Sequence, residues 1–197
     1  GLHVPERPDF GGWGGRYEYK IPDSHPLLSE EKYPIWTDTH DTVQGNDGQT
    51  HTSPQTTIWR WREAFQNDFA ARMQWTVESD YEKGIHEPVI QISTETELHV
   101  TAGESVSIDA SKSYDLNNRE LDFHWFVYEE AGTCSTPVTI EDCNHSSITV
   151  QIPESAETGT IHLILEVKNK AVFPVTAYQR ILLYIESMSL KFGVTNL

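Results

Sequence analysis

Nine residues near the start, GGWGGRYEY (Gly11–Tyr19), combine four glycines with a tryptophan and two tyrosines. Flat aromatic rings can cover the apolar faces of pyranose sugars, while polar neighbours take the hydroxyls at the ring edge. Trp13, Tyr17, Tyr19 and Trp36 fall in loop-like sequence beside Arg16, Glu18 and Asp38, which supplies both kinds of group. Phe126 and Tyr128, on the outward side of an expected strand, form a second candidate platform. Packing is the competing role for every one of these rings. Glycines flanking Trp13 serve packing too, because they let the backbone take positive φ or approach another element closely. GGWGGRYEY therefore reads first as a tight packing segment and second as a sugar-facing loop.

Other chemistry is sparse. TDTHDTVQGNDG (Thr37–Gly48) is rich in oxygen ligands, and Asp38, Asp41 and Asp47 are its candidates for a hard cation such as calcium. The run lacks EF-hand spacing, and Asn46-Asp47-Gly48 is already a good turn. No cofactor is expected, and the metal assignment stays open. The neighbouring carboxylates Glu30-Glu31 and Glu129-Glu130 make poor acid/base pairs, since adjacent strand residues point to opposite faces. No nucleophile elbow, zinc-protease motif or phosphate-cradling loop occurs, and the nine histidines show no ligand spacing. No residue is assigned as catalytic.

The 197 residues carry 30 acidic against 14 basic side chains, a formal charge of -16. That field repels phosphate backbones and anionic bilayers, so neither nucleic acid nor membrane is an expected partner. No apolar run approaches the ~20 residues that span a bilayer. Cys134 and Cys143 are the only cysteines. A disulfide closing the short loop between them would contribute roughly 2–3 kcal/mol; buried free thiols are the alternative. Asn144-His145-Ser146 beside them is an N-glycosylation sequon, and the combination points to a secreted, extracellular chain. No signal peptide is visible at Gly1, as expected of a mature or truncated chain.

These side chains must be positioned by two regions of different texture. Residues 1–87 hold most of the tryptophans and one expected long helix over 54–75, capped by Ser53 with Pro54 at its first position. Ile58, Trp61, Phe65, Phe69 and Met73 recur along it as one apolar stripe. The rest of this region offers few apolar runs to pack on that stripe. Residues 88–187 follow a polar join, ESDYEKGIHE (Glu78–Glu87), and residues 188–197 form a tail without firm signal. In 88–187, Leu98 and Val100, then Val106, Ile108 and Ala110, alternate with polar residues. Leu121, Phe123, Trp125 and Val127 share an inward face, leaving Asp122, His124, Phe126 and Tyr128 on the other. Further strands are expected at 138–140, 148–152, 161–167 and 177–185. Seven or eight strands with turn signals every ~8–12 residues indicate an immunoglobulin-like β-sandwich, with Trp125 as its core tryptophan. The expected class is thus mainly β, with the sandwich preceded by an aromatic-rich, helix-bearing segment.

GESVSIDASKSYDLNNRELDFHWFVY (Gly103–Tyr128) resembles the PKD (polycystic kidney disease) domain signature, and Glu166–Tyr178 resembles that domain's closing hairpin. Where many PKD domains carry Asp-Pro-Asp-Gly, this chain has Asp115-Leu116-Asn117-Asn118, a departure that bears on any calcium role of the loop. GGWGGRYEY, TIWRWREAFQNDFAARMQW (Thr57–Trp75), His86-Glu87-Pro88-Val89 and YEEAGT (Tyr128–Thr133) resemble a secreted cellulose-binding family. Its members join a nucleoside-hydrolase-like N-terminal domain to a C-terminal PKD/immunoglobulin-like domain. The resemblance implies that residues 1–87 are the end of the first domain and that its catalytic cluster lies upstream of Gly1. It also implies a polysaccharide partner, with the upstream domain or a second copy packing on the helix stripe. An accessory binding module, part of a glycoside-cleaving hydrolase, and a structural spacer are the three functions that follow.

Overall fold

The computed structural model describes residues 1–21 and 34–186, and within them the chain is mainly β. Glu30-Glu31 and the 188–197 tail lie outside the described residues. Two compact units divide the chain. Of the described residues, the first comprises 1–21, 34–90, 114–122 and 166–179; the second comprises 91–113, 123–165 and 180–186.

In the first unit, the sequence expected to be loop-like forms two small ribbons. β1 (Tyr17–Lys20) pairs antiparallel with β2 (Ile35–Asp38), and β3 (Asp41–Gln44) pairs antiparallel with β4 (Thr50–Ser53). The β3–β4 turn is the Asn46-Asp47-Gly48 run, with Gly48 at φ 74° and the Asp47 carboxylate accepting from the Gln49 N–H. The cap expected at Ser53 is corrected to Gln55, because the helix starts two residues later than Pro54; the Ser53 hydroxyl, at the end of β4, accepts from the Thr56 N–H at 3.3 Å.

The single long helix is corrected to two, α1 (Thr56–Trp59) and α2 (Arg62–Trp75). Hydroxyls of Thr56 and Thr57 donate to the carbonyls of Ser53 and Pro54, pinning the first turn. Trp61 then leaves helical geometry at φ -101°, ψ 3° and restarts the chain as the cap of α2. The buried face also differs from the expected stripe. Trp61, Ala64, Asp68 and Ala71 face inward, while Ile58, Phe69 and Met73 are exposed. Small alanines let α2 approach closely: Ala71 packs with Ile85 and Val175, and the Trp75 indole N–H donates to the Ile85 carbonyl.

Asp115 closes the loop that departs from the PKD pattern. Its Oδ1 accepts from the backbone N–H groups of Asn117 and Arg119, and its Oδ2 accepts from the Asn169 side chain. Protein donors thus occupy the carboxylate that a calcium ion would need. Asn118 takes the left-handed φ of 56° where many PKD domains place glycine.

β5 (Glu97–Thr101), β6 (Ser105–Asp109), β7 (Leu121–Val127), β8 (Thr139–Glu141), β9 (Ser147–Gln151), β10 (Gly159–Asn169) and β11 (Thr176–Glu186) follow. They form a four-stranded sheet ordered β5-β11-β10-β7, with β5 parallel to β11, and a three-stranded sheet ordered β6-β9-β8. The core of the second unit comes from the alternating positions the sequence marks out: Val106, Ile108, Trp125, Ile148, Val150, Leu163 and Leu183 are all buried. Trp125 is fixed at both ends, its N–H donating to the Cys143 carbonyl and its indole N–H to the His145 carbonyl.

Candidate functional site

Register decides what the β1–β2 ribbon presents. Tyr17 stands opposite Asp38 and Tyr19 opposite Trp36, so all four side chains share one face; Glu18, Lys20, Thr37 and Ile35 take the other. The Tyr19 and Trp36 rings lie 5.2 Å apart, tilted by 56°, and remain 58% and 42% exposed. Cross-strand aromatic pairing of this kind contributes roughly 0.2–1 kcal/mol to the ribbon. The Tyr17 hydroxyl donates to the Gly14 carbonyl at 3.2 Å. On the reverse face Lys20 sits 2.8 Å from Glu18 and holds that carboxyl below its usual range. Among the described residues of the ribbon, the aromatic face carries no lysine or arginine. It offers two open rings with a carboxylate at one end.

Arg16, expected among the sugar contacts, instead anchors the ribbon. Its Nε donates to Asp41 Oδ1 at 2.7 Å and its terminal nitrogen to the His40 carbonyl, while Arg60 reaches Asp41 Oδ2 at 2.9 Å. Asp41 is fully buried, so both of its oxygens serve guanidinium groups. Asp38 lies on the ribbon face. Asp47 holds the Gln49 N–H and the His51 ring, and these two lower its pKa. The three candidate cation ligands therefore have separate roles. Among the described residues no group of three or more His, Cys, Asp or Glu side chains could hold a metal ion.

Trp13 is half-buried and packs edge-on against Phe65 and Tyr178, at 6.3 and 6.4 Å between centroids. Gly15 turns the chain at φ 96°, and a Cβ there would meet the Thr57 hydroxyl at 3.0 Å. The packing role of the glycines thus holds at Gly15. Trp13 is also one wall of a cleft of about 610 Å³. Burial of its neighbour Tyr178, reinforced by the Glu166 charge, raises that phenol's pKa far above the usual value. Sequence reasoning singled out neither Tyr178 nor Thr176, which face this cleft with Glu87. His86-Glu87-Pro88-Val89 and the hairpin Glu166–Tyr178, both quoted for resemblance, run through the place without assigning it a role.

The second expected platform is corrected. Tyr128 is fully buried. The strand ends at Val127, so alternation stops one residue early and Tyr128 opens a 3-10 turn instead. Its N–H donates to the His162 carbonyl and the Arg180 guanidinium lies 5.8 Å from its ring centre. Phe126 is half-buried and stacks on the exposed His124 at 5.8 Å. The expected disulfide is corrected as well: Cys134 and Cys143 are free thiols. Each is tied by its backbone to a different strand, Cys134 to Thr160 at the start of β10 and Cys143 to Trp125 in β7. Asn144 is exposed on the β8–β9 turn, 2.9 Å from the His124 ring.

Residues 105–185 match the family of the C-terminal domain of cellulose-binding protein Sde0182. Over those residues the match is to the cellulose-binding family that the sequence resembles. Over 94% of its length the chain is also similar to a solved structure of a nucleoside hydrolase-related hypothetical protein from Saccharophagus degradans, described as associated with carbohydrate metabolism. Identity there is 30% and the TM-score 0.76, and the chain spans 44% of that protein. The PKD domain from KIAA 1837 protein aligns over 51% of this chain and 89% of its own, at 22% identity and a TM-score of 0.36. Among curated proteins none matches the sequence. No described helix is long and apolar enough to cross a membrane.

Proposed function

We propose that this chain binds plant cell-wall polysaccharide, cellulose or a related neutral glucan, as an accessory and non-catalytic part of a secreted protein. The observation that carries the reading is the Tyr19–Trp36 pair, two exposed rings on one ribbon face with Asp38 on the same side. Such a face offers apolar area to sugar rings and an acceptor to their hydroxyls. The name of the matching family supports the choice of ligand. In this reading the second unit is a PKD-type immunoglobulin-like sandwich, supported by its strand succession and its buried Trp125. The exposed Asn144 suits glycosylation outside the cell. The outward side of α2, with Phe69 and Met73, receives a packing partner, either an upstream hydrolase-like domain or a second copy. The net charge of -16 argues against nucleic acid and membrane surfaces.

Retention on insoluble cellulose and on soluble β-glucans tests this. The chain is expected to be held well above an albumin control. Replacing both Tyr19 and Trp36 by alanine is expected to weaken retention about tenfold, which corresponds to ~1.4 kcal/mol. No retention on any glucan removes the reading.

A second reading has one observation in its favour, the likeness to a nucleoside hydrolase-related protein of which this chain spans 44%. There the chain is the binding part of a glycosidic hydrolase whose catalytic residues lie elsewhere. Hydrolysis of nucleosides or aryl glycosides by a longer chain, with this one inert, would support it.

A further inference from the structure

Both faces of the β1–β2 ribbon are open, for no residue of Tyr17–Lys20 or Ile35–Asp38 is buried. A two-stranded ribbon is marginal in water on its own, and without a buried face its direction has to come from its attachments. The 3-10 turn Pro8–Phe10 borders β1. The polar attachment is at the root, where Tyr17 stands opposite Asp38. Arg16 comes just before that pair, and His40 and Asp41 come just after it.

Arg16 ties the two sides of the root together. Its guanidinium donates to Asp41 Oδ1 and to the His40 carbonyl, each at 2.7 Å, and its side chain is 11% exposed. Asp41 is in turn held by the helical part of the same unit: Arg60 donates to its other oxygen, and the Thr56 hydroxyl donates to its carbonyl. Neutralising the buried carboxylate does not require Arg16, because Arg60 already supplies a cation. Shielded ion pairs also add little net stability, since desolvation of both groups offsets most of their attraction. What Arg16 adds is geometry. A planar fork that donates in two directions fixes an angle, which a single point charge does not. The Tyr17 hydroxyl bonds to Gly14, three residues earlier, and this local bond does not reach Asp41.

We propose that Arg16 is a positioning residue: seated on Asp41 and the His40 carbonyl, it holds the ribbon in one direction and so presents Tyr19 and Trp36 as a fixed binding face. The proposal rests on the glucan reading for what that face binds, while its geometry stands on the ribbon and its root alone.

Three variants of this chain test it. Arg16→Met keeps an unbranched side chain and removes the fork, and Arg16→Lys keeps the charge without the fork. Lys20→Met removes a charge from the reverse face of the same ribbon and leaves the root alone. Nitrogen-15 relaxation of the β1 and β2 amides reads how firmly the ribbon is held, with no glucan present. Order parameters are expected at about 0.85 in the parent and in Lys20→Met, lower in both Arg16 variants, and below about 0.6 in Arg16→Met. Retention on insoluble glucan should fall about fivefold or more in Arg16→Met, fall also in Arg16→Lys, and stay at the parent's level in Lys20→Met. Asp41 keeps Arg60 in these variants, so the melting temperature should stay within a few degrees of the parent's. If Arg16→Met does not fold, Arg16→Lys carries the test. The proposal is overturned if either measurement on Arg16→Met matches the parent, or if Arg16→Lys matches it in both. Equal loss of retention in Lys20→Met also overturns it, by making ribbon charge the cause. A parent that binds no glucan removes the polysaccharide reading, and the order parameters then decide the role of Arg16 by themselves.

Discussion

Glu87 has a pKa raised chiefly by burial and next by the charge of Asp68, with Arg72 opposing both. Its folded form therefore holds a proton more tightly than the unfolded chain does. The stability this contributes is complete below the unfolded pKa and is lost as pH rises through the higher folded value. At neutral pH the ionised carboxylate works against the fold. Glu87→Gln should accordingly melt above the parent at about pH 7 and together with it at about pH 3.5, where both side chains are neutral. Thermal melts at the two pH values check the sign; a lower melting temperature for the glutamine at neutral pH would mean that the Arg72 contact outweighs burial. Asp109 runs the other way. The Ser147 hydroxyl and the Ser111 N–H lower its pKa, so its contribution is present at neutral pH and fades as pH falls.

At the scale of elements, α2 shows what periodicity reveals and what it hides. Trp61 is buried as expected, but Phe69 is 66% exposed and Met73 51% exposed, one helical step from the buried Asp68 and Ala71. Phe69→Ser and Met73→Gln should therefore change the stability of this chain by no more than about 0.5 kcal/mol. Ala71→Leu, adding three carbons beside Ile85 and Val175, should cost about 1–3 kcal/mol, read by urea unfolding. A large loss at Phe69 would assign the outward side to this chain's own core. The strands from β5 to β11 were legible in the sequence because period-two alternation reports burial on one face directly, as at Val106, Ile108 and Trp125. The helix face was not, because close approach uses alanines that a count of large apolar residues passes over. Tyr128 misled for a related reason: alternation holds only while the strand lasts. The pairing of Tyr19 with Trp36 was out of reach, since each ring was visible but the register that joins them depends on residues far apart in sequence. Thr176 gave no signal at all, because an unpartnered hydroxyl is a property of its surroundings.

For the chain as a whole, a net charge of -16 sets self-repulsion against many ion pairs. Most of those pairs are exposed, such as Lys20–Glu18, Lys83–Asp80 and Lys170–Glu120, and each is worth about 0–1 kcal/mol in water. The Asp41 pair with Arg16 and Arg60 is shielded from solvent and feels salt little. Self-repulsion acts at longer range, so it is the part that screening removes most as the Debye length falls from about 30 Å at 0.01 M salt to about 3 Å at 1 M. The melting temperature should then rise with sodium chloride over that range, most steeply at its low end. Binding of a neutral glucan, which releases no counterions, should stay flat in the same buffers. A falling melting temperature would show that the local pairs outweigh the global field. Glucan retention that weakened with salt would place charged groups, rather than the Tyr19 and Trp36 rings, at the contact.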